Sequence, residues 1–493
     1  MGNAETVIIN FSGGIISPGY LHEVMEVAAN AQVSHVQFGI RQQMFIDIPS
    51  KHFKAFQHEC DQREIAFTID EYIAPNIVSS YPAAGIFIAD TWLSEGVYKD
   101  IFDMFDYTPR VKINICDADQ TFVPFFTGNI NWIASRQQHF WYLYIRFPKT
   151  NQLFCCPDLI YTNDIVYVSK AIEEIMMGHS AIFYKDTNAD GNMLYQKVKN
   201  AMRPISKPVE QALELPEFHL PYYEGFNKQG NSYWLGIYRR NELFPVAFLK
   251  DLAKVCLETR VGELYSTPWK SLIVKGIASA HRNVWDHLLG KYRINVRHAA
   301  NELNWQVEDH NEDGLVLKRH VIRYFDKEDV RTFGLCFAVK IKSKSGIFGS
   351  VIIRKQERNN RNRLKSLERY EILYTAGFNP NSSDFILFRD NVEKENLGVY
   401  LVSLCKMYYE SESSNILAEV IKPITVKEMA VPDHQIFYQC KHCLSVYNEE
   451  TGDPDNEIAF GTAFDDLPAE YCCPLCDAAK SEYHIVSAVS IGL

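Results

Sequence analysis

The chain has 493 residues, 47% of them hydrophobic and 23% charged, with a formal net charge of −11. That is ordinary globular material of roughly three domains, and its acidity speaks against a nucleic-acid partner. No window approaches the roughly 18 apolar residues of a membrane span, and the N-terminus lacks a basic region followed by an apolar run, so a cytoplasmic protein without a membrane partner is expected.

In chain order, Val7-Ile8-Ile9 reads as a strand leading into Gly13-Gly14-Ile15-Ile16-Ser17-Pro18. Tyr20 to Ala31 then places apolar residues at helical spacing, with Ser17 as N-cap and Pro18 in the first turn. Val36, Phe38 and Ile40 alternate as in a strand, Arg41 to Pro49 follows, and a second helix is expected over Ser50 to Glu64. Phe140-Trp141-Tyr142-Leu143-Tyr144-Ile145 alternates poorly and predicts a strand buried on both faces. About two hundred residues after the first unit the same order returns in Leu235-Gly236-Ile237, a helix around Phe248 to Glu258, and Gly262 to Ile277. An internal duplication is therefore expected.

The stretches HVQFGIRQQMFIDIP (35–49) and GELYSTPWKSLIVKGI (262–277) resemble the paired motifs of the nitrite/sulfite reductase family. The resemblance extends more weakly through Pro75 to Gly85 and Pro109 to Cys116 and fades over 280–425. It implies a ferredoxin-like half-domain at the start of each half. In active members a Cys-x5-Cys and a Cys-x3-Cys pair hold a cubane cluster bridged to sirohaem. Neither pair is present: Ser80 stands where the first would begin, and near the second only Cys116 remains, with Gln120 four residues on. Serine and glutamine are poor substitutes for thiolate, so neither the cubane nor sirohaem is expected. Arg41 matches the family's arginine for tetrapyrrole carboxylates or the bound anion, and Lys270 lies in the second-half motif. The reading favoured for each is a surface or structural salt bridge retained with the fold.

Lys340 to Arg369 carries ten Lys and Arg against two Glu, a basic strip readable as a docking patch or as a solvated hairpin end and helix face; 355–369 within it is a charged break. Cys60, Cys116, Cys155, Cys156, Cys256, Cys336, Cys405 and Cys472 show no framework spacing and are expected to be buried free thiols, with Cys472 a small core residue. His22, His35, His52 and His58 follow no ligand pattern, and His442 is expected to face solvent.

Cys440 and Cys443 form one Cys-x-x-Cys, and Cys473 and Cys476 another, with 29 residues between the two pairs. In a reducing compartment this spacing brings four thiolates onto one zinc or iron ion. The surrounding stretch from Tyr438 to Tyr483 resembles rubredoxin along its whole length. It shares the aromatic residue two before the first ligand (Tyr438), the Gly452 to Asn456 turn, Gly461-Thr462, Asp466-Leu467-Pro468 and Cys473-Pro474-Leu475-Cys476. The resemblance implies a single iron cycling between ferrous and ferric. Three departures bear on tuning. Leu444 and Asp477 stand where the family's knuckles carry glycine at positive φ, and Tyr471 replaces a tryptophan.

The expected fold is α+β, a duplicated nitrite/sulfite reductase-like α/β body with a small C-terminal rubredoxin-like metal domain. The divisions are a half-domain over 1–70, a reductase-like domain over 71–225, the second half over 226–424, a linker over 425–435 and the metal domain over 436–493. The expected function is one-electron transfer, with the body docking a redox partner protein such as a nitrite or sulfite reductase. The segregated charge favours electrostatic docking, since Pro432 to Leu493 carries eleven Asp and Glu against two Lys. The alternatives are a sirohaem reductase fed by its own tail, and an assembly factor with a zinc ribbon.

Overall fold

A computed structural model describes residues 4–486 apart from 70–73, 89–90, 149–151, 187–188, 298–299, 343–345, 357–367, 383, 422–436, 450, 454–455 and 457; the side chains of 414–421 are also outside the description. The linker expected over 425–435 and much of the basic strip lie outside the described residues. The chain divides into two units, Met1–Glu412 and Ser413–Leu493.

The first unit opens with β1 (Ala4–Ile9), β2 (Ile15–Ile16), α1 (Pro18–Asn30), β3 (His35–Phe38), β4 (Met44–Pro49) and α2 (Phe53–Gln62). Pro18 starts α1, its fixed φ suiting the first turn, and Ser17 holds the N-cap position without a side-chain bond. Leu21, Val24, Met25 and Ala28 form the buried stripe that helical periodicity demands. A middle sheet follows, with β5 (Val78–Ser79), β6 (Ile113–Cys116), β7 (Ile130–Ala134), β8 (Phe140–Arg146), β9 (Leu153–Cys155), β10 (Asp158–Tyr161) and β11 (Ser206–Pro208) in the order β11-β10-β8-β7-β6-β5, with β9 also on β8. Helices α3 (Glu95–Asp103), α4 (Ile165–Gly178), α5 (Ser180–Phe183) and α6 (Gly191–Met202) accompany it. Phe140 through Leu143 and Ile145 are buried, so both faces of β8 are covered.

The second repeat comprises β12 (Gly225–Gln229), β13 (Ser232–Ile237), β14 (Phe244–Pro245), α7 (Val246–Glu258), β15 (Leu264–Ser266), β16 (Leu272–Ala278) and α8 (Arg282–Lys291). Like α1, α7 has 13 residues. The repeats exchange strands. The first sheet runs β1-β4-β3-β14, ending on a strand of the second repeat, and the second runs β12-β13-β16-β15-β2, ending on a strand of the first. The joints match, with Phe244 paired to Val36 and Ile16 to Leu264. One core spans both repeats, from Val7, Leu21 and Ile46 to Leu249, Val274 and Trp285. A fourth sheet of β17 (Trp305–Val307), β18 (Phe337–Lys340), β19 (Val351–Lys355), β20 (Tyr370–Thr375) and β21 (Phe385–Val392), with α9 (Glu312–Lys327) and α10 (Leu397–Ile421), has its own core around Trp305, Phe325 and Phe337.

The second unit pairs β23 (Val446–Tyr447), β22 (Phe437–Cys440) and β24 (Tyr483–Val486) in that order. Its small core holds Tyr447, Phe464, Leu467, Tyr471 and Tyr483 around Cys440 and Cys473. Tyr438 stacks on Phe464, with ring centroids 4.0 Å apart. No described helix is long and apolar enough to cross a membrane.

Candidate metal centre

Both Cys-x-x-Cys segments form the same turn. In the first, Cys440 N–H donates to Ser445 O at 2.8 Å and Leu444 N–H to Cys440 O at 3.0 Å; in the second, Cys473 N–H donates to Ala478 O at 2.8 Å and Asp477 N–H to Cys473 O at 3.0 Å. Leu444 and Asp477 hold the left-handed positions, with φ of 63° and 55°. The turns aim backbone N–H groups at sulfur, from Ser445 to Cys443, Leu475 to Cys473 and Ala478 to Cys476.

The four sulfurs converge to within 4.8 Å of one another. Cys440 and Cys476 are 3.7 Å apart and Cys443 and Cys473 3.4 Å. A tetrahedral ion with metal–sulfur bonds of about 2.3 Å needs sulfur–sulfur edges of about 3.8 Å, so the cage fits one ion with shifts of a few tenths of an ångström. Among the described residues no other group of His, Cys, Asp and Glu is arranged to hold a metal. Burial pushes the Cys473 thiol up, but the Ser445 and Tyr483 hydroxyls, the Leu475 N–H and Cys443 together bring it down to about 5.

The scaffold around the cage is satisfied. Tyr471, buried, donates from its hydroxyl to Asp453 Oδ2 at 2.8 Å. At Gly452, φ is 63° and a Cβ would lie 2.6 Å from Ala459 O, so glycine is required. Pro454 and Asp455 of that turn lie outside the described residues. His442 is exposed beside Glu482. Cys472 corrects the expectation of a core residue: it is exposed, as is Cys155, whereas Cys60, Cys116, Cys156, Cys256, Cys336 and Cys405 are buried.

In the body, Arg41 and Lys270 are both buried but differ in role. Arg41 donates to Asn76 O at 2.7 Å, Ile113 O at 3.0 Å and Asn114 Oδ1 at 3.3 Å, which ties the first repeat to the middle sheet. The residue-for-residue match of the repeats makes Gln42 the counterpart of Lys270. Both have positive φ, 64° and 54°. Lys270 Nζ lies 2.8 Å from Glu242 and 3.2 Å from Asp309, and Glu242 also meets Lys318 at 3.4 Å. Glu242 and Lys318 carried no sequence signal.

Where the resemblance would put cluster cysteines, the structure has closed loops. Ser80 Oγ is 2.7 Å from Tyr98 OH and accepts from Asp117 N–H at 2.7 Å. Gln120 folds back on the backbone of Phe122 and Val123, and burial pushes the Cys116 thiol up. These residues do not suit a cubane. Nearby, Arg41, Lys112, Arg146 and Lys340 line a basic cleft whose cavities of about 340, 190 and 230 Å³ all meet Gly346. The rest of the basic strip is in part internally paired, Arg354 with Glu371, Lys355 with Glu368 and Arg369 with Glu393.

The rubredoxin family model matches residues 437–483. Rubredoxin-2 of Chlorobaculum tepidum is 46% identical over 46 residues, 9% of this chain and 88% of that protein. Rubredoxin 4 of Rhodococcus sp. is 45% identical over 49 residues, 10% of this chain and 82% of that protein. The high molecular weight rubredoxin of Moorella thermoacetica is 48% identical over 46 residues, 9% of this chain and 20% of that protein. The NirA protein of Mycobacterium tuberculosis aligns with a TM-score of 0.63 over 82% of this chain and 81% of its own, at 12% identity, a likeness of fold alone. Through residues 437–483 the chain belongs to the rubredoxin family, with a NirA-like body forming most of its length.

Proposed function

We propose that the protein is an electron carrier that holds one iron in Cys440, Cys443, Cys473 and Cys476 and uses its body to dock a partner oxidoreductase, such as a nitrite or sulfite reductase, in the cytoplasm. The observation that carries this reading is a complete four-sulfur cage in a family domain, in a chain whose Ser80, Cys116 and Gln120 are locked into local contacts. An iron bound there supplies one-electron ferrous/ferric chemistry. The chain's own residues fix its sulfurs, direct N–H groups at them and admit a partner on one side. Leu444 and Leu475, 64% and 75% exposed, adjoin Cys443 and the exposed Cys476 and form an apolar rim within an acidic unit. That rim suits a partner with a basic collar around an apolar contact.

A second reading, a sirohaem reductase fed by its own tail, is favoured by the basic cleft around Arg41, Lys112, Arg146 and Lys340. Metal analysis with visible spectroscopy of protein from an iron-replete source tests both. The expected result is one iron per chain, with ferric–thiolate bands that dithionite bleaches and that Cys443→Ser with Cys476→Ser abolishes. Tetrapyrrole bands, with turnover lost in an Arg41→Ala variant, would transfer the assignment to the second reading. Zinc without colour would leave an assembly factor.

A further inference from the structure

The two knuckles share a backbone but differ in one side chain. Their fifth-place residues after the first cysteine are Ser445 and Ala478, each closing its turn by accepting from the first cysteine's N–H at 2.8 Å. Ala478 has no hydroxyl. Ser445 does, and its Oγ lies 3.2 Å from Cys443 Sγ and 3.0 Å from Cys473 Sγ, so one hydroxyl bridges a ligand from each knuckle. Once a metal takes the four sulfurs as thiolates they can only accept, and the Ser445 O–H becomes the donor. Tyr483 packs in the same small core as Cys473. Cys473 is fully buried, so no water competes for its sulfur.

We propose that Ser445 is a tuning residue of the metal centre: its single hydroxyl proton, shared between the Cys443 and Cys473 sulfurs, raises the reduction potential of the bound iron. The inference rests on the iron reading for its electrochemical part. The physical cause is differential. An electron supplied by a redox partner would add one negative charge to an iron held by Cys440, Cys443, Cys473 and Cys476. A donor on sulfur then stabilises the reduced state more than the oxidised one, because charge-assisted hydrogen bonds strengthen with acceptor charge. The effect opposes that of Asp477, whose carboxylate beside the second knuckle disfavours the added charge. The donor lies on one knuckle and the acidic residue on the other.

Ala478 also supplies the control, since it shows that alanine is accommodated at this place in the turn. Ser445→Ala, loaded at saturating metal to the same iron content as the wild type, is expected to show a lower potential. A tenfold shift of the equilibrium toward the ferric form reads as about 59 mV for one electron. The ferric charge-transfer bands move to lower energy, because the sulfur lone pairs are no longer held down by a proton. Ser445→Thr, which keeps the hydroxyl, restores both values. The full-length chain is titrated spectroelectrochemically, and the same variants reconstituted with cobalt(II) are read by their thiolate-to-cobalt bands, which respond to the hydroxyl whichever metal is native. Protein isolated without iron would defeat the iron reading and leave the cobalt shift to decide the role of Ser445. Unchanged bands in Ser445→Ala, in iron or in cobalt, would overturn the inference, as would an unchanged potential at equal iron content.

Discussion

Leu444 is the residue at which conformation and chemistry disagree most openly. It holds φ of 63° with its side chain 64% exposed, so it gains little from packing there. A left-handed non-glycine residue costs about 1–2 kcal/mol, and glycine returns about 0.4–1 kcal/mol of that to the unfolded chain. Leu444→Gly should therefore stabilise the tail by about 0.5–1 kcal/mol, checked by the denaturant midpoint of the metal-bound protein. A lowered midpoint would mean that the leucine packs in a way its exposure denies. The knuckle positions were legible because ligand spacing dictates the turn and the turn dictates φ. Cys472 was not, because adjacency to a ligand says nothing about facing: along an extended approach, successive side chains point to opposite sides, and with Cys473 turned inward Cys472 must face out. Ser445 was passed over for a related reason, since a serine earns notice only once the fold brings Cys473 beside it.

At the scale of elements, the repeated order of strands and helices was readable from periodicity, and so was the doubly covered β8. The strand exchange was not, because β2 and β14 are two residues each and carry no periodic signal. The charged knot near that exchange was half visible. Lys270 stood out by motif, while its partners Glu242, Asp309 and Lys318 come from a tight turn, a loop and a helix far apart in sequence. Glu242 is fully buried between two lysines that hold its carboxyl below the usual range against the opposing effect of burial. Glu242→Gln would leave an excess of buried positive charge and should cost about 3–5 kcal/mol, seen as a lowered thermal midpoint of the body. A shift of a fraction of that would place water in the knot.

Across the whole molecule, alkaline pH brings two opposing changes. Tyr98, Tyr223 and Tyr238 are fully buried, and burial holds their hydroxyls well above the ordinary value of 10. Their folded-state pKa is raised, so the stability they contribute is intact below about pH 10 and is lost above it, where the unfolded chain ionises first. Lys275 runs the other way. Burial lowers it from 10.5 to about 8, with its ammonium over the rings of Tyr81 and Tyr265. Between those values the unfolded state binds more protons, so this residue makes stability rise with pH over that window. The stability difference between wild type and Lys275→Met should grow from pH 8 toward 10 in favour of the wild type and then level off, measured by urea unfolding at each pH. A pH-independent difference would show that Lys275 is solvated.

The exchange of β2 and β14 decides how the body can be divided. At Phe244–Val36 and Ile16–Leu264 each repeat completes a sheet of the other, so either half cut free would present an unpaired strand edge to its surroundings.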